Sequence, residues 1–297
     1  MRALSVPTGA EAMRGIWMVV AGYLVITLAD AAVKWVLPEI GAAAAMICRG
    51  VIGGAVLLMI TRGRGIFPRD RWLLTRRSLA HCLVSGSWYW AWANGMPLGD
   101  SYAVACASPL LMTLLAIPML GEKVGWRRMT STCVGFVGVL IMLNPGGGMW
   151  RIETAVLLVS TCIMAVTRIW TRVLSRTDTP AAIAFWLMAA HIPMGLLLLP
   201  AFPPPSGMPG LGIIAALLIF GAANAVAHLL FSRAFALAPV STLAPYDYTP
   251  FLYGIGVGFL IWSEIPAWST LAGATLVIAA GVYNLHRERV RRAAERA

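Results

Sequence analysis

The chain is 297 residues long, 59% hydrophobic and only 12% charged, with a formal net charge of +11. Soluble domains carry roughly 25% charged residues, so an ordinary water-soluble fold is excluded: most of its greasy surface would face water. The positive charge does not point to nucleic acid, because the basic residues stand in short gaps between apolar runs, the pattern that orients membrane helices.

The first apolar run extends from Gly15 to Val36. Arg14 before it and Ala29-Asp30-Ala31 within it resemble parts of a signal peptide, but the run is long for a signal peptide's apolar region. We read it as an uncleaved helix. Nine further runs follow at 42–61, 79–98, 101–120, 129–144, 153–174, 180–200, 210–231, 240–262 and 266–285. Each approaches the roughly 20 residues that cross a bilayer as a helix. Helices are expected because lipid offers no partner to an unpaired backbone group. Pro38, Pro68, Pro145, Pro180, the Pro203-Pro204-Pro205 run and Pro239 fall in or beside the gaps. The five cysteines all lie in apolar runs without a CxxC spacing and read as small buried hydrophobes.

With the N-terminus in the cytoplasm, nineteen Lys and Arg residues, Arg76 and Arg77 among them, fall in inside gaps or the tail, and only Arg151 falls outside. Lys34, Arg49 and Arg168 remain within spans. This bias predicts a multi-pass membrane protein with both termini cytoplasmic. The tail, 286–297, reads as a positive-inside anchor with a Glu288–Arg292 pair four residues apart.

Shifting the chain by 142 residues lays Pro38 on Pro180, Gly53 on Gly195, Pro97 on Pro239, Glu122 on Glu264 and Trp126 on Trp268, with Arg49 meeting His191. Each copy holds five spans, an odd number, so the second enters the membrane inverted. The expected fold class is all-α: a polytopic membrane protein of ten transmembrane helices in a 5+5 inverted repeat. The domains are 1–14 (cytoplasmic N-terminus), 15–144 and 153–285 (five-helix repeats) and 286–297 (basic tail). Inverted repeats are a transporter architecture with the substrate site near the midplane.

Two stretches, SYAVACASPLLMTLLAIPMLGEKVGWRRMTSTCVGFVGVLIML at 101–143 and STLAPYDYTPFLYGIGVGFLIWSEIPAWSTLAGATLVIAAGVYNL at 241–285, share a pattern. Each has a small-residue helix with a mid-span proline (Pro109, Pro250), a Glu at its end (Glu122, Glu264) and a glycine-bearing helix after it. This pattern resembles the EamA-type branch of the drug/metabolite transporter superfamily. The resemblance implies ten helices and alternating access, with substrates that range over amino acids, nucleotide-like cofactors and metallophores. Asp30 and Lys34 in span one, Arg49 in span two and the Trp88-Tyr89-Trp90 and Trp92 cluster in span three resemble members that carry S-adenosylmethionine or riboflavin, with opine-metallophore exporters as neighbours. A Met-Asn-Tyr-Leu-Trp-Pro-like motif, associated with aromatic amino acid exporters, is absent from span four.

Ionisable side chains at helix centres cost about 2.5–3.5 kcal/mol to insert, so they mark candidate function. Asp30 and Arg49 lie about 10 Å below the outer surface at 1.5 Å per residue, placed to pair with each other or to meet substrate. Lys34, nearer the edge, is expected to snorkel. Arg168, Asp247, Asn224 and His228 fall in the opposite half, and His191 near the middle of span seven. The expected arrangement is two charge clusters flanking a central cavity that is alternately exposed. Asp247 stands in Pro245-Tyr246-Asp247-Tyr248-Thr249-Pro250, where two prolines free backbone carbonyls and two tyrosines offer rings and hydroxyls; its alternatives are substrate or proton binding and an ion pair with Arg168. Trp88 and Trp92 share a helix face, either to stack on a flat or cationic ligand or to sit at the membrane interface. Asn94 is a further candidate contact. The substrate set is therefore Arg49, Arg168, Asp247, Tyr246, Tyr248, Trp88, Trp92, Asn94 and Asn224. Asp30, His191 and His228 are candidates for ion or proton coupling, with helix–helix hydrogen bonding as the histidines' alternative. Glu122 and Glu264 read as helix-end residues.

No HExxH, GxSxG, GxGxxG or GxxxxGK[ST] motif occurs, and the four histidines have no metal spacing. An enzyme is not expected, nor a cofactor or resident metal. A membrane scaffold, or a subunit of a lipid-linked-sugar flippase, would not need buried Arg49, Arg168 and Asp247. The expected function is a secondary-active transporter of a small metabolite, acting as monomer or homodimer in the bilayer and driven by a gradient. The leading expectation is export of a zwitterionic or multiply charged, amino-acid-derived compound. The alternative is uptake of a nucleoside-like or flavin-like one such as S-adenosylmethionine or riboflavin.

Overall fold

The computed structural model describes residues 9–120, 126–144, 151–205, 209–238 and 243–294. They form α1 (Gly9–Thr61), α2 (Arg71–Ala93), α3 (Leu98–Ala105), α4 (Ser108–Leu120), α5 (Trp126–Leu143), α6 (Ile152–Leu174), α7 (Pro180–Leu198), α8 (Leu211–Leu237), a 3-10 turn (Ala244–Tyr248), α9 (Thr249–Trp262) and α10 (Trp268–Ala294). No strand occurs among the described residues. The chain is an all-α, polytopic membrane protein. Five stretches, Ala10–Thr61, Leu98–Leu115, Ile152–Leu174, Pro180–Leu198 and Leu211–Leu237, are long and apolar enough to cross a bilayer by length and composition.

Spans one and two are the two arms of α1. A straight helix of its 53 residues would be about 80 Å long, yet Gly15 packs on Ala238 at the end of α8, and Ile52 packs on Gly221 in its middle. The arms double back at Gly41, whose φ of +73° and ψ of 163° are readily adopted only by glycine. The break thus falls three residues after Pro38. Elsewhere the starts are set by caps. Asp70 accepts the Leu73 N–H at 3.0 Å, and Thr179 accepts the Ala182 N–H at 3.0 Å ahead of Pro180.

Spans four and nine differ from the uninterrupted helices expected. The first breaks at Cys106–Ala107 and the other opens as a 3-10 turn. In both, a proline is the second residue of the restarted helix, Pro109 in α4 and Pro250 in α9. A proline has no N–H to give the carbonyl one turn back, so the ladder stops there. Backbone of this kind is tolerated at membrane depth only against protein or a cavity.

Packing partners exchange when the spans are advanced by five. The first arm of α1 lies on α8 as α2 lies on α6, and α7 lies against the second arm of α1 through both Gly53 and Gly195. α3 pairs with α9, and α5 with α10. Glu122 and Pro239, two of the repeat's matching residues, lie outside the described residues, as do 1–8 and 295–297. α10 continues into the basic tail as far as Ala294, while the Glu288 and Arg292 side chains lie outside the described set.

Large apolar side chains face outward, while several polar and charged ones are buried within an otherwise apolar core. Leu211, Leu260 and Leu197 are 86%, 81% and 73% exposed, whereas Arg49 is 4% and His191 0% exposed. Of the cysteines, Cys82 and Cys106 are buried but Cys133 and Cys162 are exposed. The expectation of five buried thiols therefore fails for these two, which lie on helix faces turned outward.

Close helix approach sets the α5–α10 contact. A Cβ on Gly138 would come within 2.8 Å of the Gly273 carbonyl and 3.0 Å of the Val277 nitrogen. Gly138→Leu should cost about 1–3 kcal/mol by overpacking. We expect the melting temperature of the detergent-purified protein to fall by about several degrees, while Gly54→Ala, where nothing lies within 4 Å, leaves it level or slightly raised.

Candidate functional site: a polar cavity in the bundle

A cavity of about 160 Å³ lies between α1, α2, α3, α6, α8 and α9. Its longest wall is one face of α2, where Arg77, His81, Ser85, Trp88 and Trp92 all border it. These positions are three or four residues apart, the spacing of one helical stripe. The stripe is cationic toward the start of α2 and aromatic toward its end.

Arg49, on the second arm of α1, sits at its centre. Its Nη1 donates to Ser85 Oγ and Tyr89 Oη, both at 2.9 Å, and Nη2 lies 2.9 Å from His228 Nε2. His191 Nε2 reaches the same Ser85 hydroxyl at 3.0 Å, and Nδ1 lies 2.7 Å from the Leu187 carbonyl. His81 stacks edge-on to His228 with centroids 5.3 Å apart. At the aromatic end Trp88 meets Trp92 at 5.4 Å and Tyr102 at 5.6 Å. Trp92 Nε1 donates to Ser101 Oγ at 2.9 Å, while the buried Trp88 Nε1 has no partner among the described residues. Asp30 accepts the Tyr102 hydroxyl at 2.6 Å. At the opposite end Arg168 Nη1 donates to Asp247 Oδ2 at 2.7 Å, and the Tyr23 hydroxyl donates to Asp247 Oδ1.

Asp30, Arg49, Trp88, Trp92, Arg168, His228 and Asp247 thus border one cavity. The charged groups expected on either side of a central cavity border a single one, and they meet where His228 reaches Arg49, because α8 runs to Leu237 rather than 231. His228 is accordingly deeper than expected, and it reaches Arg49. Asp30 and Arg49 form no ion pair; tyrosine and serine hydroxyls take those positions. Asp247 both pairs with Arg168 and borders the cavity. Trp88 and Trp92 are 7% and 4% exposed, which removes the interface alternative.

Other candidates lie elsewhere. Asn94 is exposed, donates to the Trp90 carbonyl and caps α2, which ends at Ala93 rather than 98. Asn224 is wholly buried behind the wall, donating to the Phe220 carbonyl at 3.0 Å. Tyr246 packs beside Tyr23, and Tyr248 is buried against α10 near Gly281; neither borders the cavity. His191 does not border the cavity and adjoins it through Ser85 and, edge-on, His81. Lys34 does not snorkel: it forms a buried pair with Glu264 and lies 4.6 Å from the Trp262 ring centroid. Glu264 is more than a helix-end residue, since its other oxygen accepts the Leu98 N–H at 2.8 Å and joins α1, α3 and the end of α9. Glu122 lies outside the described residues.

The sequence reading missed Arg77, His81, Tyr23, Ser85 and Tyr102. Arg77 was assigned to an inside loop, but α2 begins at Arg71 and Arg77 is 5% exposed. Its four-residue steps to His81, Ser85 and Tyr89 were the available signal.

Residues 13–144 match the EamA-like transporter family. A riboflavin transporter of Rhizobium johnstonii is 26% identical over 96% of this chain and 95% of its own length. An S-adenosylmethionine uptake transporter of Rickettsia bellii is 25% identical over 67% of this chain and 68% of its own. A solved crystal structure superposes with a TM-score of 0.66 at 16% identity, over 95% of this chain and 98% of that one, a likeness of fold. The relatives named here are transporters rather than enzymes, and residues 13–144 of this chain are similar to the EamA-like transporter family.

Proposed function

We propose that the chain is a secondary-active carrier that takes a flat-ringed, polar metabolite through the central cavity by alternating access, in the direction of uptake. The observation that carries this reading is the buried aromatic end of the cavity, where Trp88, Trp92 and Tyr102 surround a site with a free indole N–H. Faces of this kind stack on planar ligands. Relatives named for riboflavin and S-adenosylmethionine support the same class. Export of a zwitterion is the second reading, favoured by Asp30 and Arg49 bordering one cavity with opposite charge.

In this reading residues 15–144 and 153–285 are the two inverted halves, and the distribution of Lys and Arg puts both termini in the cytoplasm. Asp30 and His228 hold the coupling proton at the cavity wall, with His191 behind them through Ser85. The Lys34–Glu264 pair with the Leu98 N–H closes the face opposite the termini, and Arg168–Asp247–Tyr23 narrows the other.

Uptake of labelled riboflavin and S-adenosylmethionine into proteoliposomes, in both orientations, tests the proposal. Stacking on an aromatic side chain is worth about 1–3 kcal/mol, so Trp88→Ala and Trp92→Ala should each lower uptake by about 5- to 150-fold. Unchanged uptake in both would contradict it. Glu264→Gln leaves the Lys34 ammonium buried without its counter-charge, a change that costs about 3–5 kcal/mol. Transport should drop at least about tenfold, and exchanging the pair by Lys34→Glu with Glu264→Lys should restore part of it.

A further inference from the structure

We infer that the cationic half of the α2 wall is an oxyanion subsite, so that the ring-bearing substrate also carries a phosphate or carboxylate group. This rests on the ring-stacking reading and adds the chemistry of the substrate's other end.

Arg49 and Arg77 both border the cavity, and neither forms an ion pair with a carboxylate, since Asp30, near enough to Arg49 to feel its charge, bonds Tyr102 instead. Arg77 Nε donates to Thr171 Oγ1 at 2.9 Å and Nη1 to the Ile183 carbonyl at 3.4 Å. Arg49 is held by two hydroxyls and an imidazole, and its Nε has no partner among the described residues. His81, one turn after Arg77, keeps Nδ1 without a partner. The carboxylates on the same cavity are committed elsewhere, Asp247 to Arg168 and Tyr23, and Asp30 to Tyr102.

Two guanidinium groups in an apolar bundle are costly when no protein anion pairs with them. An anion arriving with the substrate offsets that cost. The guanidinium fork matches the oxygens of a phosphate or a carboxylate, and low-dielectric walls strengthen the attraction. The spacing fits one molecule with two ends: Arg77 and Trp88 are eleven residues apart on α2, about 16 Å along the axis.

The test compares ligands that share a ring and differ in the oxyanion, using the full chain purified in detergent. Riboflavin and riboflavin 5′-phosphate are titrated by quenching of flavin fluorescence; S-adenosylmethionine and its decarboxylated analogue, which keeps the sulfonium and the amine, are compared by thermal shift. The first pair reads phosphate and the second carboxylate. We expect at least one oxyanion-bearing member to bind tenfold or more tightly than its counterpart without the oxyanion. Arg77→Gln should bring that ratio close to one, and Arg77→Lys should retain part of it. Equal binding within both pairs by the unmodified protein overturns the oxyanion subsite and leaves the ring reading standing, with no variant required. Failure of all four ring ligands, beside stabilisation by inorganic phosphate that Arg77→Gln abolishes, supports the subsite and overturns the ring reading.

Discussion

Lipid gives a buried guanidinium nothing to bind, so the protein around Arg49 has to supply every partner. Ser85 and Tyr89 on α2 and His228 on α8 do so for the two terminal nitrogens, leaving Nε open, and His191 on α7 steadies Ser85 from behind. One charge thereby fixes the mutual positions of four segments in the middle of the bundle. None of these partners is a carboxylate, so the guanidinium is left to meet an anion that enters the cavity. A protein anion at the same place would stabilise the resting bundle and cancel the site.

The scaffold serves the same end. Small residues let helices approach closely where no polar group is needed, as at Gly138 and Gly273 or Gly53 and Gly195. The apolar side chains they displace face outward, as Leu211 and Leu260 do. Around the cavity the regular ladder is interrupted instead, once at Cys106–Ala107 and once at the Ala244–Tyr248 turn. Both interruptions come from a proline that cannot donate. Shorter helical pieces that meet at the cavity rearrange with less loss of backbone bonding than one rigid rod, which suits a carrier that opens to each side in turn.

The spans were legible because an apolar run of membrane length has one reading in lipid, and helical backbone covers most of each run. Trp88 and Trp92 were legible because four residues make one helical turn. What failed were judgements that depended on helix ends. Arg77 looked like a loop charge because α2 starts well before its apolar part, and Asn94 looked deep because α2 stops early. His228 looked peripheral because α8 runs six residues past its expected end. Contacts between helices distant in sequence, such as Tyr102 with Asp30, Tyr23 with Asp247 and Lys34 with Glu264, have no periodic signature within either segment. They emerge only when the helices are packed.

The central claim is that these polar side chains face one passage through which substrate moves. Thiol accessibility tests it most directly. Cys48, Cys82, Cys106, Cys133 and Cys162 are replaced, a single cysteine is placed at Thr167 on the cavity wall, and the protein is reconstituted in vesicles with an impermeant thiol reagent on one side at a time. The account predicts reaction from both sides, slowed on both by bound substrate. Reaction from one side only, indifferent to substrate, would contradict it.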